Sequence, residues 1–217
     1  MNAPVAIDPW LLALEEAVAA YRQGSVPVGA VIVSAKGEVL ARGRNRLSEP
    51  RTVQHFIAGN DLAHAEINAL LALTHTQRPA VYGHTLYTTV EPCPQCLGAF
   101  VMSPVRHLAF AALDPWAGCT ELLTSHPYFR RKSLMVTRAP TWVQEASALL
   151  LLVSIFEDGK ALTSPLIEAF REHVPDVVNR AWQLFQEQAV RAVISETSDI
   201  DRVLQTLLGH APKEEFQ

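Results

Sequence analysis

Cys93 and Cys96 stand three residues apart in Glu91-Pro92-Cys93-Pro94-Gln95-Cys96, and His64 lies upstream in His64-Ala65-Glu66. On one helical turn the two sulfurs share a face. Pro94 suits the first helical position, where no backbone donor is needed, so both sulfurs belong at a helix N-terminus. The positive end of the helix dipole, together with a metal, favours thiolate over thiol there. Two thiolates and one imidazole make three ligands for zinc and leave the fourth tetrahedral position to water, the open arrangement of a catalytic site. Glu66 has the chemistry to move protons to and from that water. His64 and Glu66 are two residues apart and would diverge along a continuous helix. They serve one metal only if it lies off the helix's N-terminal end.

The flanking pattern supplies elements to hold these groups. Asp8-Pro9-Trp10 opens a helix carrying Leu11, Leu14, Val18 and Tyr21, stopped at Gly24. Val26–Val33 predicts a strand buried on both faces, joined through Lys36-Gly37 to a second at Glu38–Ala41. Arg42–Asn60 is a long polar loop, a length that is often functional. Asp61 is expected to cap the helix that bears His64 and Glu66. Strands follow at Thr85–Val90, Val105–Ala111 and Ser133–Thr137, and a strongly apolar helix at Trp142–Phe156 is expected to pack on the sheet. Beyond Gly159 come helices from Ser164-Pro165 to His173, from Pro175-Asp176 through Val190, and at Ile200–Leu208 with Ser198 as cap. The order of elements is α/β over roughly 1–157 and all-α over 158–217.

The chain has 217 residues, 49% hydrophobic and 18% charged, with a net charge of −4. That fits an ordinary domain with a helical appendage and offers no global basic field for nucleic acid. Residues 1–157 hold twelve acidic and twelve basic side chains; residues 158–217 hold ten and six, so the appendage supplies the whole excess. Three cysteines, two in a metal pattern, argue for a reducing compartment. With no signal-peptide pattern and no apolar run long enough for a bilayer, the expectation is a cytoplasmic protein.

The pattern His-x-Glu … Pro-Cys-x-x-Cys is that of zinc deaminases. On these residues the chain resembles the cytidine/deoxycytidylate deaminase superfamily, within it the branch of tRNA adenosine deaminases and bacterial guanine deaminases. Val26–Val31, Arg44-Asn45-Arg46, Ala63–Leu70, Leu86–Phe100 and His126-Pro127 before the 142–156 helix carry the likeness, which spans about residues 8–157. The resemblance implies a three-layer α/β/α sandwich with a mixed five-stranded sheet, a homodimer or higher oligomer, and hydrolytic removal of an exocyclic amine from a nucleobase. It implies that His64, Cys93 and Cys96 hold zinc. Glu66 would take a proton from the attacking water and deliver it to the ring nitrogen and the leaving ammonia. Asn45 would hydrogen-bond the base or sugar, and the Ala65 backbone amide would contact the base.

The chain departs from that branch at Gln95, often Met there, and after Phe156. A tRNA adenosine deaminase ends in a basic helix, whereas this chain continues into Glu157-Asp158-Gly159 and an acidic appendage. Because RNA affinity rests largely on Lys and Arg, the expected substrate is a small nucleobase or nucleoside, purine-type favoured. A tRNA adenosine deaminase forming inosine is the alternative, and a non-catalytic zinc-stabilised interaction module the second alternative. Asp114, in the loop after the fourth strand, is a further candidate for lining the pocket. Arg51 and His55 are weighed as solvated loop residues, Trp116 and Phe129 as core or oligomer contacts, and His84, His107, His126 and Cys119 as structural.

Overall fold

The computed structural model describes residues 8–53, 55–73 and 82–211. The chain begins with helix α1 (Pro9–Arg22), capped by Asp8, whose carboxylate accepts from Trp10 N at 2.8 Å. Strands β1 (Gly29–Val33) and β2 (Val39–Arg44) form the hairpin. Helix α2 (Ala65–Leu71), strand β3 (Thr85–Val90), helix α3 (Pro94–Met102) and strand β4 (His107–Ala112) follow. Two short helices, α4 (Leu122–Ser125) and α5 (Pro127–Arg130), precede strand β5 (Met135–Arg138) and helix α6 (Thr141–Glu157). Four more helices complete the described chain: α7 (Pro165–His173), α8 (Pro175–Gln186), α9 (Ala189–Glu196) and α10 (Ile200–Leu208). No helix among the described residues is long and apolar enough to cross a membrane.

The sheet order is β2-β1-β3-β4-β5, antiparallel on the β2, β1 and β3 side and parallel from β3 to β5. This is the expected mixed five-stranded sheet. Strand β1 is buried along its whole length, because helices cover both faces. One face packs Ala30, Ile32, Leu86 and Leu108 against α2 and α3. The other packs Val31, Val33, Ala109 and Ala111 against α1 and α6.

Helix α2 lies directly on β2 because Gly43 lets it. A Cβ at Gly43 would sit 2.4 Å from both the Ala65 carbonyl oxygen and the Ala69 nitrogen, closer than any such atoms approach. Asn68 adds the polar tie. Its amide donates to Arg44 O (3.1 Å) and Ile57 O (3.0 Å), and its oxygen accepts from Ile57 N (2.7 Å).

Several boundaries differ from the sequence expectation for identifiable reasons. Strand β1 starts at Gly29 rather than Val26, because Val28 N turns back to Val26 O. Asp61 does not cap α2. Asn60 closes a turn by accepting from Leu62 N and Ala63 N, and the helix starts only at Ala65, with His64 in extended backbone at the cap position. The helix expected to run through Val190 breaks into α8 and α9 at Gln188, which is left-handed at φ 53°. Asp199, not Ser198, caps α10 by accepting from Asp201 N.

Helix α6 is apolar all round because it is covered all round. Beyond the sheet side, α8 and α10 pack on it, and Phe156 meets Trp182 edge-on with ring centroids 5.0 Å apart. One buried cluster runs from Trp10 and Ala109 through Leu149, Leu152 and Phe156 to Leu184, Val190 and Leu204. At its rim Tyr21 donates to Glu157 (2.7 Å), which also pairs with Arg191, and Arg22 donates to the carbonyls of Ile194 and Thr197.

Two outcomes follow. Gly43→Ala is expected to destabilise the protein by about 1–3 kcal/mol in denaturant unfolding, as forced overpacking does. A chain ended after Gly159 uncovers Phe156 and the outer face of α6, and is expected to aggregate or to melt at a lower temperature than the full chain.

Candidate active site

Strand β3 runs straight through Glu91-Pro92 into α3, placing Cys93 at the cap position (φ −70°, ψ 171°) with Pro94 in the first turn. Cys96 sits one turn in and is buried. The start of α2 faces the start of α3, so His64 Nδ1 lies 3.5 Å from the Cys93 sulfur and 3.3 Å from that of Cys96. The three ligand atoms all fall within 4.8 Å of one another. His64 therefore reaches the site from the cap, and Glu66 from the first turn, which resolves their two-residue spacing.

The electrostatics match a cation between these groups. The Cys93 thiol is drawn down to about 4, first by its hydrogen bond with Cys96 and then by His64. Cys96 is pushed the other way, because its proton is the one Cys93 shares and because it is buried. Two adjacent sulfurs, one of them drawn toward thiolate, form a donor set that suits a divalent cation. With an imidazole as third donor, the chemistry fits zinc. Glu66 is 4% exposed, and burial raises its carboxyl above the usual range.

These groups open on a cavity of about 180 Å³ lined by Val26, Val28, Asn45, Leu47, His64, Ala65, Glu66, Val90, Glu91, Cys93, Asp114, Ala117 and Leu151. All the candidate substrate contacts from the sequence border it. Asn45 is buried and its side-chain oxygen accepts from Leu47 N at 3.0 Å. Ala65 opens α2, where backbone N–H groups lack helical partners. One Asp114 oxygen accepts from the amides of Trp116 and Ala117, both at 3.0 Å.

Other candidates fall elsewhere. Arg51 and His55 are exposed and do not border the cavity. Arg44 and Arg46 both pair with Glu49, at 3.0 and 2.6 Å, and Arg46 lies over the Phe56 ring. Phe129 packs beside the α3 core. Trp116 is not a core residue of the fold: it is 59% exposed, because the turn made by Asp114 lifts it out. His84 and Cys119 are buried, as weighed.

Residue types and spacing did not single out Asn68, Glu91 or Leu151. Asn68 sits inside the motif as an ordinary helix residue, Glu91 precedes Pro92 as a loop acid, and Leu151 is one of four consecutive leucines. Only the fold brings them to the cavity or its supporting loop.

The family model for the cytidine and deoxycytidylate deaminase zinc-binding region matches residues 9–112. A solved structure described as a study of A-to-I editing by tRNA:A34 deaminases at the wobble position is 33% identical, covering 59% of this chain and 94% of that one, with a TM-score of 0.50. The chain belongs to the cytidine and deoxycytidylate deaminase family. The tRNA-specific adenosine deaminase of Bacillus subtilis is 42% identical over 115 residues, 51% of this chain and 64% of that protein. The chain thus spans under two thirds of that relative's length. The guanine deaminase of Nitrosomonas europaea is 24% identical with a TM-score of 0.51, covering 70% of this chain and 88% of that one, a likeness of fold.

Loss of a ligand should empty the site. Cys96→Ser and His64→Ala are each expected to lower zinc, measured by elemental analysis of purified protein, from about one ion per chain toward none.

Proposed function

We propose that this family member is a zinc-dependent hydrolytic deaminase that converts an adenine base carried by tRNA to hypoxanthine, forming inosine. The carrying observation is the sequence likeness to tRNA adenosine deaminases, 33% identity to a solved structure and 42% to a curated relative. This favours the alternative over the small nucleobase that the acidic appendage suggested. The cavity is consistent with it. At about 180 Å³ it falls below the roughly 300–1,000 Å³ of drug-sized pockets, room for one heterocycle with its sugar left at the mouth. A base turned out of a strand enters in that way.

Zinc held by His64, Cys93 and Cys96 would supply Lewis acidity that makes a water nucleophilic near neutral pH. Glu66 accepts the proton of the attacking water and passes it to the ring nitrogen beside the carbon under attack. The water oxygen bonds that carbon, the bond to the exocyclic nitrogen breaks, and the second proton leaves with it as ammonia. Burial raises the Glu66 carboxyl, so its carboxylate is a stronger base toward the attacking water than a solvated one. Asn45, its oxygen held by Leu47 N, presents its NH₂ to an acceptor on the base or ribose. Ala65 N–H and Asp114 complete the polar rim. A carboxylate poised in a cavity has no use in a purely structural zinc module.

Free purine is the second reading. It is favoured by the ten-to-six acidic excess after residue 157 and by the pairing of Arg42 with Glu15 and Glu16 and of Arg44 and Arg46 with Glu49. Those guanidiniums are spent on the protein's own acids rather than on phosphates.

An anticodon stem-loop containing adenosine and a panel of free purines separate the two. The expected product is inosine in the RNA. Ammonia from free guanine or adenine without inosine in RNA would transfer the proposal to the second reading. Glu66→Gln should keep its zinc and lose about 10²–10⁴-fold in rate. A homodimer belongs to the same proposal, with exposed Leu71 and Met102 at the ends of α2 and α3 as the face. Sedimentation is expected to give twice the 23.9 kDa chain mass.

A further inference from the structure

We infer that Glu91 is a positioning residue that clamps the loop 113–120 against the cavity and so sets where Asp114 and Ala117 meet the substrate. Glu91 is only 8% exposed, and no Lys or Arg pairs with it among the described residues. A buried carboxylate without a cation must be satisfied by hydrogen bonds. Among the described residues, those that Glu91 accepts all come from one loop. Its Oε1 accepts from Thr120 N at 3.0 Å and from the Thr120 hydroxyl, and its Oε2 accepts from Asp114 N at a longer 3.4 Å. The carboxylate thus ties the first and last turns of the loop to the strand that delivers Cys93.

Gly118 shows how close the clamp is. A Cβ there would lie 2.5 Å from Glu91 Oε2 and 2.5 Å from the Asp114 carbonyl oxygen. The backbone packs on the carboxylate with no space for a side chain, and Gly118 N closes the turn by donating to that same Asp114 oxygen at 2.7 Å. Farther along, Cys119 N donates to Pro92 O at 3.3 Å. The cavity wall formed by Asp114 and Ala117 is therefore fixed by Glu91 and Pro92, the two residues before Cys93. With its acceptors committed to Thr120 and Asp114, Glu91 acts through the loop and not on the reacting atoms. Its aim also sets the exposed Trp116, which the Asp114 turn carries.

The test uses the full zinc-loaded chain. Glu91→Ala is expected to keep its zinc and to speed hydrogen exchange at the amides of Asp114, Ala117 and Thr120. It should lower kcat/KM on the order of 100-fold, as a misplaced contact does, mostly through KM. Glu91→Gln keeps an oxygen for Thr120 and is expected to recover most of that loss. If Glu91→Ala does not fold, Thr120→Val, which removes only the hydroxyl donor, should show the same exchange and KM changes in smaller measure. Unchanged exchange in the loop, loss of zinc, or a fall in kcat at constant KM would overturn the assignment. The kinetic arm rests on the proposed deamination, whereas the exchange arm does not. Wild-type protein inactive on every base would sink the function and leave the clamp to be decided by exchange alone.

Discussion

Two helices that begin at the same point in space are the constraint on which this protein depends. The starts of α2 and α3 must face each other closely enough for one imidazole to reach two sulfurs, at 3.3 and 3.5 Å. A helix turns about 100° per residue, so a start displaced by one position would carry His64 or Cys96 away from the site. The sheet prevents that. Strand β3 feeds Cys93 from one side, while Gly43 and Asn68 press α2 onto β2 and its following loop from the other. Zinc binding and the packing of two helices on one sheet face are thereby a single requirement.

Around this fixed centre the substrate side is assembled from distant segments. Val26 and Val28 come from before β1, Asn45 and Leu47 from after β2, Asp114 and Ala117 from after β4, and Leu151 from α6. His64, Glu66, Cys93 and Cys96 sit at helix starts, where backbone geometry is tightly set. The contacts that would select a base sit on turns, each held by a side chain: Asn45 on Leu47, Asp114 on Trp116 and Ala117, Glu91 on Thr120. The metal-ligating residues and the turns that line the cavity thus come from different elements, joined where Glu91 and Pro92 hold the 113–120 loop beside Cys93.

The C-terminal helices belong to the same physical body as the sheet. Helix α6 contributes Leu151 to the cavity wall and Phe156 to the contact with Trp182, so one helix joins the site to the appendage. The solved tRNA:A34 deaminase is covered to 94% by 59% of this chain, which leaves the remainder as an addition to that architecture. Amphipathic helices α7 to α10 turn their apolar faces to the shared core and their excess acid to solvent. Among the described residues, the acidic side chains of these helices therefore lie on an outer surface and not at the cavity.

The sequence by itself determined the chemistry. Cys-x-x-Cys after a strand, Pro94 at a helix start and a His-x-Glu pair are local patterns whose consequences follow from backbone geometry over a few residues. The caps at Asp8 and Ser164 and the strand at Thr85–Val90 were legible for the same reason. Only the tertiary structure decided the rest. Asp61 resembles a cap, but Asn60 takes the turn first and hands the cap position to His64. Arg44 and Arg46 stand in sequence as charged residues of a long polar loop, yet both close on Glu49. Asn68, Glu91 and Leu151 carry no local signal, because their partners lie 11 to 29 residues away or on another layer. Such long-range contacts are selected by how the layers pack, which no spacing along the chain records.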